Sequence, residues 1–209
     1  MPATTINKLG HRMGARGGRT RLALLNACST LLRERHFGAV RTADVALAAG
    51  VSPASFYTYF SAVEDAVLVL CEMATEDCYA RARHFRGDLS GDRAGAAARA
   101  YVDDALALWR VHGHALRIEH MLADQGHAAF ADSRIRRLRR LHLALERRIA
   151  EARAGGRQPE GLDPRLASYQ VANMVESMAD GFDLLLRADT AEAILDTTAH
   201  MVVRLTTGR

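Results

Sequence analysis

The chain has 209 residues, 49% of them apolar, and a formal net charge of +4. That length suits one large or two small domains with a sizeable core, and abundant Ala, Leu and Arg with only four prolines favour an all-α fold. Three cysteines (Cys28, Cys71, Cys78) without paired metal spacing argue against a secreted disulfide framework, suit a reducing cytoplasm, and accompany no apolar run of signal-peptide or membrane-span length.

Charge is uneven along the chain. Residues 1–62 hold eight Lys or Arg and two Asp or Glu, a balance of +6, so the remainder balances at −2. A basic end on a near-neutral body points to a polyanion at that end. Residues 1–18 carry Lys8, Arg12 and Arg16 among Gly10, Gly14, Gly17 and Gly18. They read either as a flexible basic arm lying on DNA phosphates or in the minor groove, or as a solvated tail. The first helix is expected over Arg19 to Arg35, with Leu22, Leu25, Leu31 and Leu32 on its buried face, together with Ala27 and Cys28. His36 and Phe37 end it.

Ala43 to Phe60, ADVALAAGVSPASFYTYF, organises the rest. Asp44 to Ala49 forms a short helix, with Thr42 as its cap. Gly50 ends it, because glycine enters a left-handed turn without a Cβ penalty. Val51 fills the corner. Ser52 is an N-cap and Pro53 suits the first position of a second helix through Phe60. Helix, glycine turn and capped helix is the pattern of a helix-turn-helix, whose second helix enters the DNA major groove. A plain helical hairpin would carry larger aliphatics than the small, polar Ser52, Pro53, Ala54 and Ser55.

These residues resemble the DNA-binding domain of the TetR family of bacterial transcriptional regulators. The match covers Arg21 to about Leu70. It is carried by LALLNACSTLL (Leu22 to Leu32), Phe37, Thr42–Asp44–Val45–Ala46, Ala49–Gly50–Val51–Ser52, and Phe56–Tyr57–Thr58–Tyr59–Phe60. The resemblance implies base-edge proximity for Ser52, Pro53, Ala54 and Ser55, and phosphate contacts for Thr42, Tyr57, Thr58 and Tyr59. Arg41 could add a charged phosphate contact. Phe56 and Phe60 point inward. The recognition helix has no Arg, Gln or Asn for a bidentate base contact, so sequence choice leans on the arm, Arg41 or DNA shape. Relatives often carry a phosphate-binding Lys where this chain has Val63, followed by Glu64 and Asp65, and Gly where it has His36.

A fourth helix is expected from Ala62 to Arg86, as the connector to the body. Cys71 and Cys78 share one of its faces, but two turns put them about 10 Å apart along the axis, beyond disulfide reach. Residues 87–92 form a linker. Further helices are expected over Arg93–His112, His114–Ala123, Phe130–Ala154, Pro164–Ala188 and Ala191–Thr206. His112, His114, His120 and His127 have no metal-site spacing. Arg134, Arg136, Arg137, Arg139, Arg140, Arg147 and Arg148 span most sides of their helix and read either as a solvated face paired with Glu146 and Glu151 or as a second nucleic-acid surface, beside a core stripe of Ile135, Leu138, Leu141, Leu145 and Ile149.

The expected organisation is a basic arm (1–18), a three-helix helix-turn-helix domain (19–66), and a helical-bundle domain for effector binding and dimerisation (67–209). The resemblance implies a homodimer joined by the last two long helices, on a palindromic double-stranded operator. The expected function is a transcriptional repressor, released from that operator by a largely apolar small molecule. Candidates for the effector site are Trp109, Arg117, Met121, Phe130, Met174, Met178 and Phe182, with His120 as a further polar anchor. No nucleophile motif, phosphate loop or metal pair supports an enzyme, and no cofactor is expected. The rival readings are a constitutive DNA-binding protein without an effector, and an activator.

Overall fold

The computed structural model describes residues 14–87, 89 and 91–209. Most of the expected arm (1–13) lies outside the described residues, as do two positions of the linker. Among the described residues the secondary structure is helical, with no strand. The chain divides into two compact units. One comprises the residues up to Met73 with His114–Arg134, the other Ala74–Gly113 with Ile135–Arg209. The expected boundary after residue 66 therefore falls inside the first unit.

In the first unit, α1 spans Ala15–Glu34. It begins four residues before Arg19, so Arg16, Gly17 and Gly18 are helical. Leu24, Leu25, Ala27, Cys28, Leu31 and Leu32 are buried, the i, i+3, i+4, i+7 pattern of an amphipathic helix. Leu22 was expected on that face but is 48% exposed, because the stripe is centred on Leu24 and Cys28. Burial pushes the Cys28 thiol up to about 12. A 3-10 turn, Phe37–Ala39, follows, and His36 caps it: Gly38 N–H donates to His36 Nδ1 at 3.2 Å. The helices α2 (Thr42–Ala48) and α3 (Pro53–Tyr59) come next.

The helix α4 (Val63–Arg81) carries the chain from the first unit into the second. Val63, Ala66, Val67, Leu70, Cys71, Ala74 and Cys78 are buried along one stripe. All three cysteines are buried and free. The expected helix to Arg86 ends instead in a 3-10 turn, Ala82–Phe85.

The helix α5 (Asp92–Asp124) is one element where two were expected. Gly113 in a helix interior costs about 1 kcal/mol, but Ala115 and Leu116 beyond it are fully buried, and their burial holds the helix through it. The helix α6 spans Ala128–Ala154. Leu138, Leu141, Leu145 and Ile149 form its core stripe, while Ile135 is 61% exposed.

In the second unit, α7 (Pro164–Asp180) starts on an Asp163 cap, whose Oδ1 accepts from Leu166 N–H at 2.9 Å. It stops at Gly181 rather than running to Ala188. A separate single turn, α8 (Phe182–Leu185), follows. The last helix, α9 (Ala191–Thr207), is capped by Thr190 and ends at Gly208, which has φ 71°. A Cβ there would lie 2.0 Å from the Arg157 carbonyl oxygen, so only glycine fits. No single helix among the described residues is long and apolar enough to cross a membrane.

Candidate nucleic-acid interface and effector core

The exposed motif of the first unit is built from short-range signals. Val45 and Ala46 bury the inner face of α2. Gly50 adopts φ 68°, the left-handed turn expected of it. Val51 N–H bonds back to the Ala46 carbonyl at 3.0 Å. Ser52 Oγ accepts from Ser55 N–H at 3.2 Å and caps α3, with Pro53 in the first turn. Phe56 and Phe60 are buried, their rings 5.6 Å apart, and the Tyr57 ring meets Phe56 edge-on at 5.7 Å. The Arg21 guanidinium lies over Phe60 at 5.5 Å. Inner face and caps thus hold α3 with its outer face free.

That outer face holds most of the residues expected to meet DNA. Arg41, Ser52, Pro53 and Ala54 are exposed, and Tyr57 is 50% exposed. Thr42, Ser55, Thr58 and Tyr59 are half-buried. Thr42 does not cap α2. It is the first helical residue, and the cap contact runs from Arg41 N–H to Asp44 Oδ2 at 3.0 Å. This frees the Thr42 hydroxyl, which lies 3.1 Å from the Tyr57 hydroxyl. Two groups expected to meet phosphate independently thus form one pair.

The Val63 position is settled by packing. Val63 is buried at the start of α4. Asp65 Oδ2 accepts from Ser61 N–H at 2.6 Å, so the acid caps the helix start.

The expected effector residues fall in different units. Arg117, Met121 and Phe130 belong to the first, where Arg117 is exposed, Met121 half-buried and Phe130 buried. Trp109, Met174, Met178 and Phe182 belong to the second, where all but the half-buried Met174 are buried. There the Arg110 guanidinium lies over the Phe182 ring at 5.7 Å. The histidines are dispersed. His112 pairs with Asp77 at 3.1 Å, His114 with Ser29 at 2.8 Å, and the His127 ring meets Phe130 edge-on. Among the described residues no three His, Cys, Asp or Glu could hold a metal ion.

The arginine run of α6 is not one solvated face. Arg147 and Arg148 pair with Glu151 at 2.9 and 2.7 Å, and these bonds hold the Glu151 carboxyl below its usual range. Arg140 lies over the Tyr79 ring at 4.1 Å. Arg137, however, is fully buried and donates to Glu176 Oε1 at 2.9 Å. Arg81 Nη2 lies 3.5 Å from the same oxygen. Burial opposes the Arg81 charge, but Cys78, Tyr101 and Glu176 outweigh it and hold its pKa above the ordinary value. Sequence reading passed over this cluster, although a signal existed. Glu176 shares its helix face with the buried Ala172 and Ala179, and Arg137 lies four residues before Leu141 on the core stripe.

Residues 24–65 match the family described as bacterial regulatory proteins, tetR family, and residues 80–203 match the tetracyclin repressor-like C-terminal domain. No curated protein matches the sequence. Solved structures share the fold. The fatty acid degradation regulator FadR of Bacillus halodurans has a TM-score of 0.65 and 16% identity, over 92% of this chain and 97% of its own. FadR of Bacillus subtilis, in complex with stearoyl-CoA, has 0.63 and 16% over 90% and 98%. LfrR of Mycobacterium smegmatis, in complex with proflavine, has 0.53 and 22% over 94% and 98%. With both the helix-turn-helix and most of the C-terminal body matched, this chain belongs to the TetR family of transcriptional regulators.

Proposed function

We propose that the chain is a homodimeric repressor that leaves its operator when a small molecule binds the C-terminal body. The observation that carries this reading is the capped α3, anchored by Phe56 and Phe60 with its small, polar tip in solvent. Such a tip lets a backbone approach base edges closely, with Arg41, Thr58, Tyr59 and the Thr42–Tyr57 pair as phosphate contacts beside it. A protein working on chromosomal DNA acts in the cytoplasm. The effector part of the reading is supported by two regulators of the same fold solved with small molecules, and by Trp109, Met178 and Phe182, which are buried in the second unit. A ligand acts here only through unequal affinity for the DNA-competent and released states.

The dimer part is supported by apolar side chains left in solvent on α7 and α9. Leu166 is 65% exposed, Met201 47% and Leu205 38%. A second copy related by a two-fold axis would cover them and set two recognition helices for a palindrome. Met201→Asp with Leu205→Asp is expected to shift the protein to monomers in sedimentation velocity and to weaken operator binding. A double variant that sediments as a dimer places the interface elsewhere.

The central test is fluorescence anisotropy on the chain's own upstream DNA across a salt series. Saturable binding near physiological salt is expected, with Tyr57→Ala weakening it about tenfold through lost charge-assisted phosphate contacts. Equal, sequence-blind binding by both proteins would contradict the reading. Binding unmoved by any ligand would favour a constitutive DNA-binding protein. Transcription rising with operator occupancy would mark an activator.

A further inference from the structure

The first unit holds a recess of about 250 Å³ between the 3-10 turn, the start of α2 and the start of α4. Phe37, Val40 and Val63 line it, the two valines buried. Its polar groups belong to Arg41, Thr42 and Glu64. Arg41 and Thr42 are two of the residues proposed above as phosphate contacts, and the Thr42 hydroxyl lies 3.1 Å from that of Tyr57 on α3. One carboxylate therefore shares a recess with two groups that draw phosphate.

The two other acids near the recess are committed to backbone. Asp44 Oδ2 accepts from Arg41 N–H at 3.0 Å, and Asp65 Oδ2 accepts from Ser61 N–H at 2.6 Å. Glu64 differs from them. It lies half-buried in the first turn of α4 and lines the recess. A helix N-terminus attracts anions, and Glu64 supplies negative charge to that end from the protein itself. It is also a like charge to any phosphate that the Arg41 guanidinium draws in. A recess of this size keeps the two negative charges within the screening length of about 10 Å at 0.1 M salt.

We propose that Glu64 is a brake on operator affinity: its carboxylate repels the DNA phosphate that Arg41 and Thr42 draw to the same recess. The brake acts on the sugar–phosphate backbone, so it lowers affinity on every sequence and leaves sequence choice to α3. A loosely held operator needs a smaller loss of affinity for release, so Glu64 also sets how large a difference a ligand must impose. This rests on the DNA-binding reading above and adds to it a residue that opposes binding.

The test is anisotropy on the full chain with its upstream DNA and with an unrelated duplex, across a salt series, for Glu64→Gln and Glu64→Lys. At low salt Glu64→Gln should tighten binding about threefold per recognition helix, and about tenfold for a dimer holding both half-sites. Glu64→Lys should tighten it further. The gain should shrink as salt rises, because screening removes the repulsion, so both variants lose affinity with salt more steeply than the wild type. Thermal unfolding should move the other way. Both substitutions take a favourable charge from the first turn of α4 and lower the midpoint slightly. A merely structural Glu64 would lose affinity along with stability.

The proposal is overturned if Glu64→Gln binds both duplexes no more tightly than the wild type, or if its gain is equal at low and high salt. The place of action is checked in an Arg41→Ala background. There Glu64→Gln should gain clearly less, because no guanidinium draws phosphate into the recess, and an equal gain would overturn the recess as the site of repulsion. Failure of the wild type to prefer its upstream DNA removes the operator reading. The charge series on the unrelated duplex then still decides the brake, since phosphate contacts carry non-specific binding as well.

Discussion

Glu176→Gln is expected to destabilise the protein by roughly 3–5 kcal/mol, the usual cost of breaking a buried ion pair from one side. Glutamine keeps the shape and one acceptor oxygen but removes the charge that Arg137 and Arg81 share. The two buried guanidiniums then lose the carboxylate that they share. For a chain of this size that loss lowers the melting temperature by roughly 6–20 °C. Adding Arg137→Met to the variant should restore part of the loss, because it removes one of two like charges held close together. Thermal unfolding followed by circular dichroism measures both. A Glu176→Gln midpoint within a degree or two of the wild type would show that water reaches and solvates the cluster.

Phe56→Ala is expected to cost a further large amount, about 3–5 kcal/mol, by emptying the fully buried site under α3. The ring is in contact with Phe60 and Tyr57, so its loss loosens both the C-terminal end of α3 and the hydroxyl pair on its outer side. Operator affinity should fall together with stability. Phe56→Leu, which fills most of the volume, should lose under about 1.5 kcal/mol and keep most DNA binding. Urea denaturation and anisotropy on the same samples check the coupling. A Phe56→Ala protein of normal stability that still failed on DNA would give Phe56 a direct role at the interface instead of an anchoring one.

Local chemistry explains which parts of the fold were legible from residues alone. The turn at Gly50 and the cap at Ser52 are decided within four residues, so their pattern reads directly. The stripe of α6 reads from period 3.6, but its edges do not, which is why Ile135 was expected inside. Thr42 is an eligible cap by type. Arg41 N–H meets Asp44 instead, and a hydroxyl fifteen residues away takes the threonine. Breaks in helices were harder still. Gly113 lies inside α5 whereas Gly181 ends α7, although the residue type is the same. Tertiary burial decides between them, and one residue's propensity is too small to do so. The Arg137–Glu176 pair spans 39 residues, and no periodicity connects its ends.

The discontinuity of the first compact unit bears on how regulators of this kind are recombined. Its N-terminal segment ends at Met73, but His114–Arg134 returns to complete it. The return is tied in by His114 to Ser29 at 2.8 Å and by the Ala115 carbonyl to Cys71 Sγ at 3.7 Å. It also supplies buried Leu116, Leu122 and Phe130. A hybrid made by transplanting residues 1–73 onto a foreign body would inherit a DNA reader with an open seam, stripped of the apolar side chains that close it. A graft that preserves the reader must carry both segments, or a body whose own returning helix offers the same small and apolar surface.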